Sequence, residues 1–222
     1  PILCVSRFQL VFAVLLAAFT YISLQKLFHP GWLFGLFVVM IPFYLILTGA
    51  RRHNIEYLNG IFEMKNASMP IFVSQPYIYI ANNYDNFNCL VGALPGHSFG
   101  LKGLFPLWAL SGLKFFFPQL INFPIYVDKT ELTTLTLFYD SYYDFGWIGV
   151  LLFSCILGAV AYILVVKLRE MRNPLGYLLY AQFAAYLMLS FFTTWFSNTT
   201  TWFYLILTGI MALFYHLRAS RW

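Results

Sequence analysis

FYDSYYDFGWIGVLLF, residues 138–153, runs from polar and acidic to wholly apolar inside what reads as one helix. Asp140 and Asp144 stand at its entrance among Tyr139, Tyr142 and Tyr143, with Tyr126 upstream. A single helix over 133–153 puts Thr136, Asp140 and Asp144 four residues apart on one face, with Tyr139 and Tyr143 as a stripe beside them. Gly146 and Gly149, three apart, are expected to let another helix or a ligand come close to the backbone. Two accounts fit these residues. The tyrosines form an interfacial belt and the aspartates are solvated helix-start residues favoured by the dipole, or the helix mouth handles a polar substrate.

Composition sets the class. Charged residues are 9% of the 222, hydrophobic residues 61%, aromatic residues 21%, and the mean hydropathy is +0.73. A soluble domain carries roughly a quarter charged residues, so an all-α polytopic integral membrane protein is expected. The net charge of +5 is small and sits mainly beside apolar runs. It is a topology signal, and no nucleic-acid partner is expected. Cys4, Cys89 and Cys155 are far apart, with neither metal-ligand spacing nor a disulfide framework. The chain opens at Pro1 without methionine or signal peptide, and is expected to be the C-terminal portion of a longer protein.

A helical span needs about 20 apolar residues. Five stretches qualify: 8–28, 31–50, 145–166, 175–195 and 201–217. A sixth, 103–123, holds Lys114 at its centre and Pro106 and Pro118 near its ends. It fits a tilted span, a re-entrant segment or an interfacial helix. About five to six transmembrane helices are therefore expected, with 51–144 as a long external segment rich in aromatics and Asn. KLREMRN (167–173) and the tail residues Arg218 and Arg221 should face the cytoplasm, and the uncharged turn 196–201 should face outward. Arg51 and Arg52 leave the middle open, with their side of the membrane not settled by hydropathy.

Most polar residues able to do chemistry fall in 51–144: Arg51, Arg52, His53, Glu56, Asp85, His97, Lys102, Asp128, Lys129, Glu131, Asp140 and Asp144. A transporter places such groups at mid-membrane, whereas these belong to a loop or cavity above it. PYIYIANNYDNFNCL (76–90) mixes aromatics that can stack on sugars with amides that can bond hydroxyls, a mixture that equally suits a headgroup-level helix. There is no Gly-rich phosphate loop, no Asp-x-Asp pair and no HExxH or Cys/His cluster. No metal and no cofactor is expected.

TELTTLTLFYDSYYDFGWIGVLLFSCILGAVAY (130–162) resembles the pattern of Wzy-type oligosaccharide repeat-unit polymerases, which make O-antigen and capsule: a Thr-rich entry, a Tyr-rich turn, Asp-Phe-Gly and a long apolar span. NNYDNFN followed by GHSFG (96–100) is similar to that family's external loop, and LTGARR (47–52) resembles the Gly-x-Arg span end found there and in O-antigen ligases. The resemblance implies a metal-independent glycosyltransferase of the bacterial cytoplasmic membrane, with its chemistry facing outward. Its partners would be undecaprenyl-diphosphate-linked oligosaccharides, membrane lipids and other polysaccharide-assembly proteins. For that reaction Arg51, Arg52, His97 and Asp144 are the catalytic candidates, the arginines because their planar fork pairs with phosphate oxygens. Tyr84, Asp85, Lys102, Asp140 and Tyr143 are the substrate-binding candidates. The alternatives are a lipid-linked sugar transporter or flippase, a membrane acyltransferase of surface glycans, or a non-enzymatic subunit.

Overall fold

In hydrocarbon a backbone must satisfy its own hydrogen bonds, so long apolar runs become helices. The computed structural model describes residues 7–25, 30–50, 54–170, 173–191 and 193–219. Among them every α-helical or 3₁₀ element is helical and there is no strand. The α-helices are α1 (Arg7–Gln25), α2 (Pro30–Ala50), α3 (Ile55–Ile61), α4 (Ile71–Ala93), α5 (Phe105–Leu110), α6 (Leu113–Phe116), α7 (Tyr139–Glu170), α8 (Pro174–Met188) and α9 (Thr199–Ala219). Among the described residues two segments, and not the five to six expected, are long and apolar enough to cross a membrane, Tyr139–Lys167 and Thr199–Arg218, and Gln9–Leu24 is a shorter apolar helix.

The stretches expected at 8–28, 31–50, 145–166 and 201–217 are helical over nearly their whole described lengths. That at 175–195 is cut short. Helix α8 has 15 residues, about 22 Å at 1.5 Å per residue, with a turn at 189–191 and a 3₁₀ turn at Trp195–Ser197 after it. The stretch 103–123 is not one helix. It breaks into α5, α6 and a 3₁₀ turn at Pro118–Leu120, with Gly112 at φ 77° between the first two. Pro106 and Pro118 each sit at the start of a helical piece, where a missing N–H costs least. Part of the segment expected as an external loop is also helical, since α4 runs for 23 residues.

The chain forms two compact units, whose boundary falls inside α4 after Tyr79. In the first, α1 packs on α2. Asn54 caps α3 by accepting from the Tyr57 amide, and buried Asn59 donates to the carbonyls of Ala67 and Met69 at 2.9 Å each. One side chain thereby holds the loop between α3 and α4.

In the second, α8 packs against both α7 and α9, and α5 lies on α9. Polar side chains join α8 to α9 across an otherwise apolar contact. Gln182 Nε2 donates to Thr208 Oγ1 at 3.0 Å, and Asn173 caps α8 through the Leu175 amide while donating to the Ala212 carbonyl at 2.7 Å. Such bonds align helices where lipid supplies no hydrophobic drive between them. Helix α7 is bent near its start, with Phe145 at φ −138°, ψ 16° and Gly146 at φ 61°, ψ −146°.

Candidate functional site

The bend in α7 organises everything around it. A positive φ with strongly negative ψ is territory for glycine, so Gly146 is the residue that permits the turn. A Cβ there would lie 3.1 Å from His97 Nε2. Gly149 serves the same bend, because a Cβ on it would collide with the Ser141 carbonyl oxygen of the preceding segment. The close approach expected at this glycine pair therefore comes at Gly149 from the helix's own chain, and at Gly146 from the 96–103 loop.

Asp144, 3% exposed, binds that loop. Its Oδ1 accepts from the Ser98 hydroxyl and, at 3.1 Å, from the Lys102 amide, while Oδ2 accepts from the Gly103 amide at 2.7 Å. Its own carbonyl accepts from the Phe99 amide at 3.1 Å, and that of Tyr143 from the Ser98 amide at 3.3 Å. Gly103 must be glycine for this, since a Cβ there would sit 2.6 Å from Asp144 Oδ2. Each carboxylate oxygen is already occupied by loop donors. Through these amides Asp144 fixes the backbone that carries Lys102.

The Lys102 side chain enters a pocket of rings. Its ammonium lies 4.7 Å from the centre of the Tyr143 ring, 5.7 Å from Tyr139 and 6.0 Å from Phe123. It pairs with Asp140 Oδ1 at 3.6 Å, the two side chains being 11% and 8% exposed. The side-chain hydroxyls of Thr194 and Ser197, in the turn before α9, stand near the same carboxylate. A buried carboxylate without such partners would be very costly, so cation, hydroxyls and aromatic faces form one unit. Asp140 and Asp144 share a face as their spacing requires, and both reach Lys102, one at its side chain and one at its amide.

The aromatic wall is itself pinned. Tyr139, fully buried, donates from its hydroxyl to the Tyr126 carbonyl and accepts from the Tyr126 amide, both at 2.8 Å. The Tyr126 and Tyr143 rings pack with centroids 6.1 Å apart. Asparagines of α4 hold the strap that follows. Asn86 donates to the carbonyls of Leu132 and Thr134 and accepts from the Asp128 amide, Asn82 donates to Leu132, and Asn83 to Phe191.

The structure thus brings together His97, Lys102, Asp140, Tyr143 and Asp144. Tyr84, 67% exposed, and Asp85, also exposed, lie on the side of α4 opposite the buried Asn82, Asn83 and Asn86, away from this cluster. Arg51 and Arg52 lie outside the described residues. Sequence reading missed Ser98, Gly103, Phe123, Thr194 and Ser197. The glycines bracketing GHSFGLKG and the hydroxyls of TTWFSNTTT were the available signals, but nothing local to either tells which carboxylate they will meet.

His97 is exposed, with Nδ1 3.3 Å from the Tyr143 carbonyl oxygen. A carbonyl only accepts, so this contact favours the tautomer with the proton on Nδ1 and a lone pair on Nε2. The cluster sits where α7 begins, where the turn after α8 passes and just before α9 starts. The basic connection 167–173 and Arg218 belong to the opposite ends of these helices. Comparison with protein-family models, with curated proteins and with solved structures finds no match.

Proposed function

We propose that the chain polymerises undecaprenyl-diphosphate-linked oligosaccharide repeat units by glycosyl transfer at the outer face of the bacterial cytoplasmic membrane. The observation that carries this reading is a buried, cross-braced polar cluster at the mouth of two apolar helices, at the end remote from their basic residues. The positive-inside rule puts that basic end in the cytoplasm and the cluster outside. There a hydrophilic glycan must be handled beside its lipid carrier. In this reading α1, α2, α7, α8 and α9 cross the membrane, the short α8 being sheltered by its neighbours.

In the transfer an acceptor sugar hydroxyl bonds to the anomeric carbon of the donor glycan, and the bond from that carbon to the phosphate oxygen breaks. Lipid diphosphate leaves with the electron pair. His97 Nε2 takes the hydroxyl proton, its lone pair kept available by the contact at Nδ1. Arg51 and Arg52, outside the described residues, are the sequence's candidates for pairing with the departing diphosphate. Lys102 and Asp140, held against the buried Tyr143 ring, shape the floor under the sugar.

A glycan ladder tests the reading. The full-length gene product is expressed in a polymerase-deficient strain that makes its lipid-linked repeat, beside His97→Ala and Arg51→Ala at matched membrane levels. Ladders from the parent and single repeats from both variants are expected. Single repeats from the parent, with the repeat demonstrated at the outer face, would sink the polymerase reading and favour the transporter or acyltransferase.

A further inference from the structure

We infer that residues 101–117 form an interfacial paddle lying in the headgroup–acyl boundary of the bilayer, at the end of α7 and α9 that carries the cluster. The inference rests on α7 and α9 crossing a membrane and is independent of the reaction.

From Gly103 to Val127 the sequence holds one charged residue, Lys114. Many apolar side chains of its first half are turned outward. Leu104, Leu107, Phe115, Phe116 and Phe117 are 46%, 47%, 77%, 79% and 51% exposed. Scattered exposed hydrophobes need no explanation, but a contiguous patch with three consecutive phenylalanines does. The pieces are also too short to cross, with 6 residues in α5 and 4 in α6, so they can lie only along the surface.

Position selects lipid as the occupant. The segment leaves the Asp144 anchor through Lys102 and Gly103, level with the bend of α7 and next to the start of its apolar shaft. Helix α5 then packs on α9, the second candidate span. The patch is therefore continuous with the lipid-facing surface of the spans. Trp108 Nε1 donates to the Leu101 carbonyl at 3.0 Å, which leaves its indole fit for an apolar setting. The Lys114 ammonium lies 5.1 Å from the Phe115 ring centre, a cation–π contact that lets the one charge of the stretch sit beside its aromatic patch.

The test uses nitroxide labels on the full-length chain in vesicles of phosphatidylcholine and phosphatidylglycerol. One label is placed at Phe116→Cys, one at native Cys155 in the middle of α7 and one at Glu131→Cys, with the remaining cysteines changed to serine in each case. The Phe116 label should be reached by oxygen and shielded from a water-soluble nickel complex, at roughly 5–10 Å below the phosphates. The Cys155 label should lie deeper and the Glu131 label in water. A Phe116 label as open to nickel as Glu131, or shielded from both quenchers because protein covers it, would overturn the paddle. A Cys155 label outside the hydrocarbon would overturn the spans and the paddle together, leaving the polymerase assay to stand or fall by itself.

Discussion

The two halves of α7 are built on opposite rules. From Tyr139 to Asp144 the polar side is inward: Tyr139, Asp140, Tyr142, Tyr143 and Asp144 are all under 9% exposed. Beyond the bend the apolar side is outward, with Trp147 at 64%, Ile148 at 69%, Leu151 at 65% and Ile156 at 60%. In water the second half would be a severe liability. In lipid it needs no cover, because neighbouring tails are as apolar as leucine. The first half is where stability is concentrated, through hydrogen bonds and a buried ion pair. Substitutions in the two halves should therefore differ sharply.

The largest effect is expected at Asp144. Asp144→Ala removes the acceptor for three donors, and charge-assisted hydrogen bonds are worth roughly 1.5–3 kcal/mol each without being additive. A loss of about 4 kcal/mol is expected in detergent unfolding, with loop 96–103 becoming protease-sensitive. If the variant melts like the parent, Asp144 is not the anchor.

Next comes the Lys102–Asp140 pair. Lys102→Met keeps the stem among the rings but strands a buried carboxylate, which should cost about 3–5 kcal/mol. Adding Asp140→Asn should recover part of that loss, and strictly additive singles would show that the two groups do not interact.

Gly146→Ala forces a side chain into a positive-φ conformation beside His97, at about 1–3 kcal/mol. Combining it with His97→Ala should relieve the crowding but leave the backbone strain, so recovery should be partial. Asn86→Ala, losing three partners, should cost about 2 kcal/mol and exceed Asn82→Ala, which loses one. The smallest change belongs to the shaft. Leu151→Ala should stay within about 0.5 kcal/mol, the range for substitutions that leave packing untouched. A large loss there would mean that protein, and not lipid, covers α7.

Several features were legible without coordinates. The four-residue spacing of Asp140 and Asp144 correctly placed both on one face, since helix geometry alone dictates it. Apolar length marked α7 and α9, while 103–123 stayed open between a tilted span, a re-entrant segment and an interfacial helix, and is in fact broken into short pieces. The roles were not legible. Asp-Phe-Gly reads as a carboxylate offered to a substrate, yet Asp144 is occupied by amides 41 and 42 residues earlier in the chain. Asparagines at 82, 83 and 86 suited either sugar hydroxyls or a headgroup-level helix, and in the structure they hold backbone carbonyls of distant segments. Tyr84 and Asp85, adjacent in sequence to those asparagines, fall on the other side of the same helix.

By itself the sequence determined that this chain is helical and suited to a membrane, because composition and apolar run length are properties each segment carries alone. The bend was not foreseen: one helix was expected over 133–153, whereas α7 starts at Tyr139 and leaves helical geometry at Phe145 and Gly146. Only the tertiary structure decided which polar groups meet. A carboxylate takes whichever partners folding delivers, and those of Asp144 and Asp140 come from the loop before α5 and the turn before α9. Their pairing depends on long-range packing, which local pattern does not encode.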